Sequence, residues 1–62
     1  MSSSETASAR LTRWHAEYDS EWLYHRAVGM ADEAADKLAT DAANQRVGDF
    51  DHILRDYDME WA

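Results

Sequence analysis

Between Leu11 and Val28 the sequence LTRWHAEYDSEWLYHRAV holds two of the chain's three tryptophans and two of its three tyrosines, and no other stretch constrains the fold as strongly. At 100° per residue, Ala7, Leu11, Trp14, Tyr18 and Trp22 fall within a sector of about 80° on a helix, the narrow stripe of a buried seam. The same residues sustain no period-2 alternation, which argues against a strand. Beyond Asp19 the apolar character spreads around the helix: Leu23 and Ala27 point away from the seam that holds Trp22, while Tyr24 and Val28 fill one flank. A helix apolar on two sides needs two partners.

The punctuation around this segment predicts a hairpin. Ser2 and Glu5 have capping-box spacing, so helix 1 is expected to begin near Ser3 to Glu5, after a frayed start over residues 1–4, and to span about 5–28. His25 and Arg26 place basic groups in the last turn, Gly29 suits the left-handed position after a helix, and Met30 follows as the apolar residue of a Schellman-type stop. Asp32 and Glu33 then favour a new N-terminus. Helix 2 is expected over about 31–47, with Ala27 or Ala31, Ala34, Ala35, Leu38 and Ala42 on one side, a face of small residues suited to close approach by tryptophan and tyrosine. Gly48 ends it as Gly29 ended the first.

Helix 3, over about 50–61, starts from the N-cap candidate Asp49. It sets Phe50, Ile53, Leu54, Tyr57 and Trp61 within a sector of about 100°, the clearest amphipathic pattern in the chain. Asp56, Asp58 and Glu60 oppose the helix dipole in its last turns, so packing must hold it. A competing arrangement tolerates Gly29 inside one helix of about 43 residues from Ser4 to Arg46, since glycine costs about 1 kcal/mol relative to alanine. The basic end, the glycine and the acidic restart together favour the hairpin.

Sixty-two residues make one small all-α domain, and a chain of that length buries only about 60% of its unfolded surface. Without a cysteine there is neither a disulfide nor a thiolate metal site, which leaves association as the remedy for a marginal core. A homo-oligomer, with a dimer favoured and a four-helix-type bundle across two chains, is therefore expected. Thirteen acidic against six basic residues give a net charge of −7, which repels nucleic-acid phosphates and anionic membranes. No run approaches the roughly 20 apolar residues of a membrane span, and the opening MSSSETASAR lacks the features of a secretory signal, so a cytoplasmic protein is expected.

Chemistry-bearing patterns are weak. Glu17, Glu21 and His25 stand at i, i+4, i+8 along one edge of helix 1, the spacing of a carboxylate–histidine ladder that could hold iron or zinc across a dimer, as in ferritin-like bundles. The recurring Glu-x-x-His element of those sites is missing, and an ion pair between Glu21 and His25 accounts for the pattern without a metal. His15 with Asp19 and His52 with Asp56 repeat the spacing and read as exposed pairs. There is no phosphate loop, nucleophile elbow or H-E-x-x-H motif, and Ser20 has no histidine at helical spacing. No catalytic residue, cofactor or metal is expected.

The expectation is a non-enzymatic protein–protein interaction module, a regulator or accessory subunit. It would act through an aromatic helix face or the C-terminal tail, with Trp14, Tyr18, Trp22, Phe50, Tyr57 and Trp61 as contact candidates. Carboxylates on a helical body that imitate DNA phosphates and occupy a basic groove on a nucleic-acid-binding protein are the alternative.

Overall fold

A computed structural model describes residues 5–61, apart from the side chain of Trp61. Its three helices are α1 (Ala7–Ala27), α2 (Asp32–Arg46) and α3 (Phe50–Trp61). The chain is all-α: α2 folds back on α1, and α3 continues the return along the N-terminal half of α1, so α1 packs against both. The resulting shape measures 40 × 27 × 14 Å, a slab thin in one direction rather than a closed bundle.

Helix α1 starts later than the capping-box spacing suggests. Ser2 lies outside the described residues, and the cap is Thr6, whose Oγ1 accepts the N–H of Ala9 at 3.0 Å. Glu5 turns instead to Arg13, which donates to both of its carboxylate oxygens at 2.7 and 3.0 Å. That bond holds the Glu5 carboxyl below the usual carboxylate range. The other end closes as the residues require: the N–H of Met30 donates to His25 O at 3.1 Å and that of Gly29 to Arg26 O at 3.0 Å, the paired bonds of a Schellman stop. Gly29 has φ of +101°, a conformation open to glycine and costly for other residues. The single 43-residue rod is thereby ruled out.

Helix α2 presents a different face from the one expected. Ala35, Ala39 and Ala43 are sealed from solvent, whereas Ala34 and Leu38 are exposed. The helix is thus rotated by roughly one residue, about 100°, from a face centred on Leu38. The cause is steric: the rings of Trp14 and Tyr18 fill the interhelical space only if the backbones approach across alanines, and a leucine there would hold them apart. At its far end Gly48, with φ of +143°, breaks the return arm, and Asp49 Oδ2 accepts the N–H of His52 at 3.3 Å as the N-cap of α3.

The core forms where the three helices meet. Trp14 is 4% exposed and Ile53 2%, with Ala43 between them and Leu11, Tyr18, Val47 and Phe50 packed around. Burying a side chain such as Ile53 stabilises by about 1.5–3 kcal/mol. At the tail, Glu60 meets the dipole problem of α3: its Oε2 accepts the N–H of Ala7 at 2.6 Å. A carboxylate unfavourable at one helix C-terminus thus serves the N-terminus of another.

Candidate interaction surface

Trp14 organises the inner face of α1. Its ring stacks on Tyr18 at 5.5 Å between centroids, tilts over Phe50 at 4.4 Å and meets His15 edge-on at 5.5 Å. A buried indole N–H needs an acceptor, and Asn44 supplies it at 2.9 Å. The same Asn44 Oδ1 accepts the backbone N–H of Phe50 at 3.1 Å, so one side chain of α2 fixes a ring of α1 and the first turn of α3. Tyr18 reaches across to α2, where its hydroxyl donates to Asp36 Oδ1.

Glu17, Glu21 and His25 do share an edge, and that edge faces Arg46 of α2. The Arg46 guanidinium donates to Glu17 Oε1 at 2.9 Å and Glu21 Oε2 at 3.0 Å, and these carboxylates hold it more firmly protonated. Glu21 Oε1 also lies 3.3 Å from His25 Nε2. The fixed cation at the carboxylates is therefore an arginine, and among the described residues no group of three His, Asp or Glu side chains is arranged to hold a metal. The two other expected histidine pairs do not form. His15 lies edge-on to Trp14 and, at 5.9 Å, to Phe50, and Asp56 approaches Arg10 at 4.0 Å instead of His52.

The aromatic contact candidates separate on this geometry. Trp14 is enclosed, and Tyr18, Phe50, Trp22 and Tyr57 are half-buried. Arg26 covers Trp22, its guanidinium carbon 5.8 Å from the ring centroid. The side chain of Trp61 lies outside the described residues. Exposed apolar area concentrates instead near the hairpin tip, where Leu23 and Tyr24 are each 62% exposed and Val28 59%. The sequence signal for this surface is the spread of apolar residues around α1 beyond Asp19.

The charges are also unevenly committed. Arg10, Arg13, Arg26 and Arg46 all engage carboxylates within the chain, while Lys37 and Arg55 form no ion pair among the described residues. Asp19, Glu33, Asp41, Asp51 and Asp58 are exposed and likewise form no ion pair among the described residues. A shallow hollow of about 340 Å³ lies between the start of α1 and the end of α3, lined by Glu5, Ala7, Arg10, Asp56, Met59 and Glu60. Its amide donor is already taken by Glu60.

No helix among the described residues is long and apolar enough to cross a membrane. No protein-family model, curated protein or solved structure matches the chain.

Proposed function

We propose that this chain is a non-enzymatic protein–protein interaction module, a small regulator or accessory subunit, whose contact surface is the outer side of α1 near the hairpin tip. The supporting observation is the exposure of Leu23, Tyr24 and Val28 on consecutive turns, in a chain whose aromatic seam is largely occupied by its own helices. Large apolar residues grouped on a surface are characteristic of contact sites, whereas scattered ones are not. The test is the paired change Leu23→Glu with Tyr24→Ser, compared with wild type by chemical cross-linking in the host cell. Loss of the cross-linked species with an unchanged circular dichroism spectrum supports the reading. The same species in both samples overturns it.

A second reading, mimicry of nucleic-acid phosphates toward a basic protein groove, draws on the five uncommitted carboxylates. It requires binding that weakens steeply as salt rises. Binding that stays constant between low and high salt excludes it.

A further inference from the structure

We propose that the end of α3, from Asp56 to Glu60, is a carboxylate latch on the start of α1, one that opens in acid while the first turn of α3 stays seated. This device is independent of the interaction-module reading.

The two halves of α3 are held by different forces. Ile53 is 2% exposed and Phe50 lies 4.4 Å from the Trp14 ring, with its amide on Asn44. Beyond Ile53 no described side chain of α3 is buried, and Met59 is 70% exposed. What reaches α1 from the end of α3 is charge: Glu60 Oε2 accepts the N–H of Ala7 at 2.6 Å, and Asp56 Oδ2 lies 4.0 Å from Arg10 Nη1. Between these two contacts the hollow of about 340 Å³ is left unfilled, so its walls gain no dispersion attraction from one another.

Both contacts use the ionised carboxylate. Glu60 faces the positive end of the α1 dipole, and Asp56 faces a guanidinium. The last turn of α3 has no basic residue to offset its own dipole. Protonation therefore removes the attraction to α1 together with the repulsion inside α3, and the end of α3 lets go without being driven to unfold. The latch is complete above the carboxylate range and is lost as pH falls through it.

The start of α1 is built to survive that release. Its cap is the hydroxyl of Thr6, which accepts from Ala9 and does not titrate. Arg10 also has Glu5 at 3.8 Å, and the bond from Arg13 keeps Glu5 charged below the usual carboxylate range, so Arg10 retains an anion when Asp56 is neutral. Glu5, Arg10, Asp56 and Glu60 are the charged groups lining the hollow, with Arg13 behind Glu5. No histidine is among the lining residues. Opening uncovers Ala7, which is 6% exposed in the closed form.

The fold supplies two built-in reporters. Ala7 and Phe50 are each the first residue of a helix, where an N–H has no partner within the helix. Ala7 is held by Glu60 and Phe50 by Asn44. Solvent exchange of these two amides, measured by NMR on the full chain and corrected for the intrinsic rate, reads the latch and the seat separately.

On lowering the pH from about 7 to about 3, across the ordinary carboxylate range, protection of Ala7 should fall while Phe50 and Ala9 keep theirs. Glu60→Gln, which removes the charge and keeps an acceptor, should reduce Ala7 protection about two- to fivefold at neutral pH and abolish its acid dependence. Glu60→Ala should remove the protection altogether. Added salt should weaken Ala7 protection in wild type and have little effect in Glu60→Gln.

Ala7 protection that is unchanged in Glu60→Ala overturns the latch. A fall shared equally by Phe50 shows that α3 lifts as one piece and overturns the division within it. Identical pH profiles for wild type and Glu60→Gln overturn the role of charge.

Discussion

At the junction of the three helices, Trp14, Asn44, Phe50 and Ile53 depend on one another: one ring is packed on three sides, and one carboxamide oxygen serves two helices. At the hairpin tip, α1 is ended by backbone bonds around Gly29 and by Arg26, which donates to Met30 O at 2.6 Å and pairs with Asp32 at 2.9 Å, while Leu23, Tyr24 and Val28 face solvent. The junction is specified by side-chain packing and the tip by backbone geometry. Side chains at the tip are therefore free to serve contacts with other chains at little cost to the fold, whereas those at the junction are not. Stability and surface are separated along α1 and can be perturbed one at a time.

The strongest way to break the comparison is Trp14→Ala. Removing a buried tryptophan costs about 3–5 kcal/mol, comparable to all that a domain of this size holds, so the variant should lose cooperative thermal unfolding by circular dichroism. Leu23→Ser and Tyr24→Ser should change unfolding free energy by no more than about 0.5 kcal/mol in the monomer. Equal losses at both ends would show that the tip is part of the core.

Asn44→Ala should come next. It leaves the Trp14 indole N–H and the Phe50 amide without their acceptor, a loss of about 1–3 kcal/mol readable by urea denaturation. Asn44→Asp keeps an acceptor oxygen and should recover most of that loss. Failure of Asp to rescue would mean that Asn44 acts by packing rather than by hydrogen bonding. At the tip, Gly29→Ala meets no atom within 4 Å of the added methyl, so its cost is torsional, about 1–2 kcal/mol. The melting temperature should fall by about 4–8 °C for each kcal/mol, without change in the Trp14 environment seen by fluorescence.

The parts of this architecture legible in the sequence are those coded locally. The aromatic stripe of α1, the glycine after a basic turn and the amphipathic α3 each state their structure within a few residues, because helix period and cap geometry are short-range. The face of α2 is not coded in that way. Its alanines give almost no amphipathic signal, so Leu38 drew the expected face toward itself, and the face was settled by the rings that α1 brings. The partners of Glu17, Glu21 and His15 were hidden for the same reason: Arg46 and Phe50 are distant in sequence, and i, i+4 spacing names only neighbours on one helix. Asn44 left one faint signal, since a buried tryptophan requires an acceptor and few carboxamides are present. The tip left a signal, apolar residues on two sides of one helix, but the expected contact residues were the seam and tail aromatics, and Leu23, Tyr24 and Val28 were not among them.

The smallest effect lies between the two ends, at the bond from Tyr18 to Asp36. The phenol of Tyr18 is pushed up to about 12, first by donating its proton to the Asp36 carboxylate, then by burial and by the negative charges of Asp36 and Asp19. In the unfolded chain the same phenol titrates near 10. The folded state therefore binds the proton more tightly, and stability from this bond is complete below pH 10 and lost as pH rises through 12. A difference titration of phenolate absorbance between wild type and Tyr18→Phe should isolate this late-titrating tyrosine. Asp36→Ala should return it toward 10 and flatten the alkaline fall in melting temperature. If the late tyrosine persists in Asp36→Ala, burial by the junction rather than the cross-helix bond sets its proton affinity, and the packed region extends further toward the tip than the position of Trp14 implies.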